Sequence, residues 1–233
     1  MHTRHFALVS IALGSVSSAH AHDYFFERVG DELVLEQGHE SSAHAGDATV
    51  PYDASIVRDA RCITGDGRVV DLPKPHESPA RFAGDCAVLF VATSSGYWSE
   101  TATGTVNKPK TEAANAFYSW SSEESIKLLE SWLPAAGAPL GSGLELTTAE
   151  NPLLLERGDK LAVRVSWHGE PRAGVTVAYD GEPRGVTDPA GEINIRLRHG
   201  GRQLITAGFD EPVSSDEADS AVRATVLQFR IPE

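Results

Sequence analysis

Residues 161–179 read LAVRVSWHGEPRAGVTVAY and contain two strand-length runs separated by a turn. From Leu161 to Trp167, apolar side chains alternate with polar ones, apart from Ala162, which is the pattern of a β-strand with one buried face. The HGEP at 168–171 is typical of a turn, and the VTVAY at 175–179 is again β-prone. This stretch therefore predicts antiparallel β-structure.

The same pattern extends in both directions along the chain. Towards the C-terminus, strand-like runs at 193–197, 203–209 and 222–231 follow turns rich in glycine and proline. Towards the N-terminus, the continuous apolar run CAVLFVA at 86–92 indicates a buried strand, and two short β-prone runs at 24–29 and 32–36 flank Gly30-Asp31. Short strands at regular spacing predict a mostly β protein built from antiparallel β-sandwiches.

One segment predicts a helix, and another predicts a domain boundary. Ser121 and Glu124 form a capping box ahead of an apolar stripe of Ile126, Leu129 and Leu133, so we expect a short helix over 122–132. The PAAGAPLGSG at 134–143 has the composition of a linker between domains 22–133 and 144–233. A polar stretch at 96–115 predicts a long loop, with Tyr97 and Trp98 as candidate loop contacts.

The N-terminus has the pattern of a secretory signal peptide over 1–21, which predicts a periplasmic protein. Arg4 precedes an apolar stretch, small residues follow, and cleavage after either Ala19 or Ala21 fits the pattern. One cut makes His22 the mature N-terminus, and the other makes His20 the N-terminus with His22 third. Either product places a free α-amine beside imidazoles, an all-nitrogen set that favours Cu(II) or Ni(II). The alternative is that these histidines are incidental to the processing site.

A second histidine cluster, GHESSAHAGD at 38–47, places His39 and His44 close to two carboxylates. Imidazoles bind several transition metals, so residue type alone does not select the ion, and histidines in such a loop are often simply solvated. If 24–29 and 32–36 pair as a hairpin, residue 38 returns to the vicinity of residue 22. The terminal chelate and His39 then lie at one end of one sandwich.

Charge and cysteine content restrict the function further. With 33 acidic and 20 basic residues, the chain has a formal charge of −13, which disfavours nucleic acid and anionic lipid as partners. The two cysteines, Cys62 and Cys86, predict a disulfide in an exported protein. No apolar segment is long enough for a membrane anchor. No nucleophile motif or glycine-rich phosphate loop is present, so we do not expect an enzyme.

Several short motifs, in order, resemble the domain-of-unknown-function family 4198, which includes NikK-like periplasmic accessory proteins of nickel and cobalt energy-coupling-factor transporters. The motifs are HAHDYF at 20–25, GHE at 38–40, PYD at 51–53, GYWS at 96–99, NKPK at 107–110, ENPL at 150–153, GVTV at 174–177 and TDPAG at 187–191. The resemblance implies an Ig-like or transthyretin-like C-terminal module. It also implies Ni or Co handling, with His22 and His39 carried over as metal ligands and His20 and His44 less directly.

Together these observations predict a periplasmic protein that binds a divalent transition metal, Ni or Co, for uptake. Its partners are then the ion and a nickel or cobalt membrane transporter. Three alternatives remain open at the level of sequence: a copper-binding β-sandwich protein, a structural or adhesive protein without metal, and a copper oxygenase in which the N-terminal His forms a three-nitrogen brace.

Overall fold

The computed structural model describes residues 23–38 and 49–233, and β-strands dominate this part of the chain. Three short 3₁₀ helices, Ala54–Ile56, Pro134–Gly137 and Pro152–Leu154, lie in its connections. The strands are β1 Asp23–Val29, β2 Glu32–Gly38, β3 Val57–Thr64, β4 Val69–Asp71, β5 Arg81–Ala83, β6 Cys86–Thr101, β7 Gly104–Val106, β8 Tyr118–Leu129, β9 Leu144–Thr147, β10 Lys160–Trp167, β11 Glu170–Pro171, β12 Thr176–Tyr179, β13 Glu182–Val186, β14 Glu192–Arg196, β15 Gly201–Pro212 and β16 Ser220–Ile231.

Within the described residues these strands form three sheets. The largest has the order β13-β12-β15-β16-β8-β6-β3-β4, with β7 paired to the far end of β6. A four-stranded sheet contains β11, β10, β14 and β9, and a three-stranded sheet contains β1, β2 and β5. Neighbouring strands are antiparallel except for β8 and β16, which run parallel over ten register pairs. The mostly β prediction is therefore confirmed.

The large sheet is the middle layer, and each of its faces packs against a different partner. One core joins its Phe90 and Leu227 to Leu146, Val163 and other side chains of the four-stranded sheet. The other core joins its Leu89 and Ile126 to the aromatic and leucine side chains of β1 and β2. Alternate residues in the first half of β6 thus enter opposite cores, which is why residues 86–92 are apolar without interruption.

The helix predicted over 122–132 is wrong, because this segment is β8 and its continuation. The supposed stripe does not lie on one face: Ile126 packs in the core beneath β1 and β2, whereas Leu129 packs in the opposite core. Hydrogen bonding to β6 on one side and β16 on the other supplies a full set of backbone partners. Tertiary pairing therefore overrides the local capping signal.

The predicted loop at 96–115 also begins as a strand. Tyr97 and Trp98 belong to β6, where they pair with Ser121 and Trp120 of β8. Beyond β7, the segment 107–117 is held by hydrogen bonds from Lys110 N to Glu217 O and from Asn107 Nδ2 to Tyr97 O. The first residues of this segment form a strand because β8 pairs with them, and the polar sequence did not reveal that partner.

The predicted linker 134–143 connects β8 to β9 and passes over a buried ion pair. The Lys127 ammonium and the Glu145 carboxylate are each 1% exposed and contact each other. Glu145 accepts hydrogen bonds from Leu140 N and Gly141 N, and Lys127 donates to Ala138 O at 2.9 Å. Strands from both sides of this connection share the large sheet, and the division into domains 22–133 and 144–233 stays a prediction.

The predicted disulfide is confirmed between Cys62 and Cys86. It links β3 to the start of β6, next to the register pair Thr64–Cys86. Both cysteines belong to the core beneath β1 and β2. The disulfide therefore cross-links β3 and β6 of the large sheet beneath the β1–β2 hairpin. The sequence analysis places the candidate metal site on this hairpin.

Candidate functional site

The β1–β2 hairpin brings together the parts of the chain that flank the predicted metal ligands. Gly30, at a φ of 61°, occupies the turn, and the register runs from Val29–Glu32 to Asp23–Gly38. Thr49 forms a bridge to Gly38 on its other side. The backbones of Asp23, Gly38 and Thr49 thus lie side by side at the open end of the hairpin. The predicted hairpin is present, whereas residue 22, which was expected near residue 38, lies outside the described residues.

The four predicted ligands His20, His22, His39 and His44 lie outside the described residues. The signal peptide and its two candidate cleavage sites lie outside them as well. In sequence, His22 directly precedes Asp23 and His39 directly follows Gly38. The described part of the site is therefore the hairpin end and the sheet beneath it.

A buried glutamine fastens the hairpin to the large sheet. Gln228 Oε1 accepts from Phe26 N at 2.7 Å, and Gln228 Nε2 donates to Phe26 O at 2.8 Å. At the same level of β1, Arg202 stacks over the Phe25 ring at 5.1 Å and pairs with Glu27. These contacts fix the position of β1 along the sheet, and therefore the position of its first residue.

Two phenols lie close together near the open end of the hairpin. Tyr24 is 3% exposed and meets the Tyr52 ring edge-on, with 6.0 Å between centroids. Burial raises the pKa of Tyr24 well above its usual range, and the negative charge of Glu124 raises it further. Ser122 Oγ donates to Glu124 Oε1 at 3.3 Å, and the Glu124 side chain is half-buried.

Tyr52 braces the second strand of the hairpin. Its hydroxyl donates to Leu35 O at 2.6 Å and accepts from Ala80 N at 2.8 Å. Burial raises the pKa of Tyr52 to about 12. Burial also raises the pKa of Glu36, with a contribution from Glu27. Both phenols are therefore neutral near pH 7, and the negative charge near this end of the hairpin comes from carboxylates such as those of Glu36 and Glu124.

Beyond Glu124, the same face of the sheet carries three aromatic side chains, those of Trp98, Tyr118 and Trp120. Trp98 and Trp120 are register partners, and Tyr118 stacks on Trp120 with 6.0 Å between centroids. Tyr97 lies on the opposite face and donates from its hydroxyl to Glu217 Oε2 at 2.7 Å. The candidate contacts Tyr97 and Trp98 are thus neighbours in sequence but face different sides of the sheet.

A family model described as Domain of unknown function (DUF4198) matches residues 19–211. The chain belongs to this family. The match begins ahead of the hairpin, at the predicted processing site, and continues through the 134–143 connection into the C-terminal half. A search of curated proteins found no match.

Two solved structures are similar to this DUF4198 chain at low identity. One contains the N-terminal four Ig domains of Dscam1 isoform 1.9, with 12% identity over 78% of this chain and a TM-score of 0.22. The other is the D0-D1 domain of Intimin, with 9% identity over 86% of this chain and 91% of that chain, at a TM-score of 0.23. This chain spans 37% of the length of the Dscam1 structure.

Within residues 23–38 and 49–233 of the DUF4198 chain, no three His, Cys, Asp or Glu residues are grouped so that they could hold a metal ion. The same residues contain no helix long and apolar enough to cross a membrane. His168 stacks on Trp167 with 4.1 Å between centroids, and His199 Nε2 lies 2.9 Å from Asp180 Oδ2. These two histidines belong to the C-terminal half and serve as controls for metal binding.

The sequence analysis placed Glu124 in the wrong type of secondary structure. It assigned this residue to a helix cap, whereas β8 places it on the sheet face beneath the hairpin. The strand signal lay in two short alternations, YSWS at 118–121 and IKL at 126–128, which the polar SEES at 122–125 separates.

Proposed function

We propose that this protein is an exported, periplasmic protein that binds one divalent late transition metal, Ni(II) or Co(II), for uptake. The ligands are the mature α-amine, the imidazoles of His22 and His39, and His20 or His44. The observation that carries the proposal is the row formed by Asp23, Gly38 and Thr49 at the open end of the hairpin.

Covalent geometry makes this row informative. His22 and His39 are each one peptide from a residue of the register pair Asp23–Gly38. Consecutive Cα atoms are about 3.8 Å apart and paired strands about 5 Å apart, so the two Cα atoms lie within roughly 13 Å of each other. Two imidazoles tethered that closely can share one ion. The segment that contains His44 also starts and ends at this row, at Gly38 and Thr49.

The electrostatics of the described residues support a cation at this position. The carboxylates of Glu36 and Glu124 supply negative charge at or near the same end of the hairpin. The chain as a whole carries a formal charge of −13, which concentrates cations near its surface. Such a site would capture an ion outside the cytoplasm and pass it to a nickel or cobalt membrane transporter, its proposed partner.

The test uses untagged protein exported to the periplasm, with its mature N-terminus determined by mass spectrometry. Calorimetric titration with Ni(II), Co(II), Cu(II) and Zn(II) measures the affinity for each ion. His22→Ala, and separately an N-terminal tag that removes the free amine, should each weaken Ni(II) binding at least tenfold. His168→Ala and His199→Ala should leave it unchanged. Ni(II) binding should also weaken as the pH falls through about 6.5, the usual pKa of imidazole, because protons compete with the metal for the ring nitrogens.

Wild-type Ni(II) and Cu(II) affinity in the tagged or His22→Ala protein would overturn the proposal and favour a structural role without metal. The Irving–Williams order predicts tighter binding of Cu(II) than of Ni(II) or Co(II) at such a site. A preference for Cu(II) larger than this order predicts would identify the copper-binding alternative.

A further inference from the structure

One end of the large sheet exposes aromatic side chains and buries serines. Trp98, Tyr118 and Trp120, here named the aromatic patch, share one face, where Tyr118 is 37% exposed and the two indoles are partly exposed. On the opposite face, Ser99 and Ser119 are 0% exposed and lie under the segment that follows β7. A sheet with one solvated face normally has the reverse arrangement, with apolar side chains on the covered face. Exposed aromatic side chains grouped in this way mark an interaction surface.

Two carboxylates flank the aromatic patch on the same face. Glu100 of β6 lies opposite the first residue of β8. Asp210 of β15 pairs with Val222 of β16, which pairs with Ser122 of β8. With about 4.8 Å between strands and 3.3 Å between successive residues, the Cα atoms of Glu100 and Asp210 lie roughly 20 Å apart. The line between them crosses the sheet beside Trp120.

The charge of this surface is complementary to a cationic partner. Neither Glu100 nor Asp210 forms an ion pair with a lysine or arginine of the described residues. The faces of the aromatic rings add negative potential to that of the two carboxylates. No lysine or arginine occurs in the four strand segments that form the surface, which are 96–100, 118–122, 210–212 and 220–222. The chain as a whole has a formal charge of −13.

Among cationic groups, the guanidinium of arginine fits this surface best. It is planar, so it stacks on flat aromatic rings, and its paired N–H groups match the two oxygens of a carboxylate. Arginine, tryptophan and tyrosine are also the residue types that dominate the binding energy of protein interfaces. The partner is therefore a protein segment that presents arginine side chains.

We propose that the aromatic patch is a docking site for an extended segment of a partner protein that carries two arginines six residues apart. One guanidinium pairs with Glu100, the other pairs with Asp210, and the chain between them crosses Trp120. An extended chain rises about 3.3 Å per residue, so six residues span the roughly 20 Å between the two carboxylate-bearing residues. This docking site is independent of metal binding.

The experiment titrates wild-type protein with a synthetic nine-residue peptide of glycine and serine that has arginine at positions 2 and 8. NMR chemical shifts of the indole N–H groups measure the binding. A peptide with citrulline at both positions has nearly the same shape without the charge, and it should bind at least fivefold more weakly. Affinity for the arginine peptide should fall as salt is added, because salt screens charges at an exposed surface.

Variants of the protein test the position of the docking site. Trp120→Ala and Glu100→Gln should each lower the affinity for the arginine peptide at least fivefold. Tyr97→Ala removes an aromatic side chain from the opposite face, and Glu112→Gln removes an exposed charge outside the surface. These two control variants should match wild type. Thermal melting of each variant checks that the fold is intact.

A further readout needs no substitution. In wild-type protein, the arginine peptide should shift the indole N–H resonances of Trp98 and Trp120 and leave those of Trp132 and Trp167 in place. Equal affinity for the arginine and citrulline peptides would overturn the proposal. Equal losses in Glu100→Gln and Glu112→Gln would overturn it too, because net charge alone would then explain the binding. Absence of binding by the wild-type protein would have the same consequence and would leave the proposed metal site untouched.

Discussion

At the scale of single residues, the disulfide has a clear energetic role. Cys62 and Cys86 are 24 residues apart, so the bond removes loop-closure entropy from the unfolded chain. Replacing both by alanine should lower the free energy of unfolding by about 3 kcal/mol. Denaturant unfolding of the double variant measures the loss, and wild-type protein kept in a reducing agent should lose a similar amount. An unchanged midpoint in both samples would contradict the prediction.

The same scale shows which residues the sequence can reveal. The cysteine pair was predictable because an isolated pair in a chain with a predicted export signal has few other expected roles. The position of β1 on the large sheet was not predictable in this way. It is fixed by Gln228, which lies about 200 residues away in sequence from Phe26.

At the scale of elements, β8 shows how tertiary pairing decides between helix and strand. Its sequence YSWSSEESIKLL contains both a capping box and a period-2 series. The local signal favours a helix, but the strand satisfies the backbone on both edges and supplies side chains to two cores. By contrast, the β1–β2 hairpin was predictable because Gly30-Asp31 marks the turn between two β-prone runs.

β8 also carries the buried cation that holds the connection to β9. Burial lowers the pKa of Lys127, and the adjacent Glu145 carboxylate opposes that shift. Lys127→Met removes the ammonium group and leaves the Glu145 carboxylate buried without a cationic partner. The free energy of unfolding should therefore fall by about 3–5 kcal/mol. Lys160→Met, at an exposed site on β10, is the matched control and should change it by no more than about 0.5 kcal/mol. Urea unfolding of both variants makes the comparison, and equal losses would contradict this role for the pair.

At the scale of the whole molecule, the large sheet connects the N-terminal and C-terminal halves of the chain. Its strand order places β16 beside β8, so a long-range parallel pairing lies at the centre of the molecule. The sequence predicted strands on both sides of 134–143 from local patterns, the continuous apolar run at 86–92 and the alternation at 161–167. It did not predict that they share a sheet, because parallel pairing of distant strands leaves no local pattern.

This shared sheet leads to a prediction about the two halves. A protease site inserted after the exposed Ser142 would cut the chain inside the predicted linker. The two pieces should stay associated after cleavage, because ten register pairs between β8 and β16 and the Lys127–Glu145 pair still join them. Gel filtration should show one species of uncut size, although a denaturing gel shows two bands. The cut protein should also unfold in a single transition. Separate elution of two folded pieces that melt independently would contradict this prediction and establish 22–133 and 144–233 as autonomous domains. The open end of the hairpin could then be studied on the N-terminal piece alone.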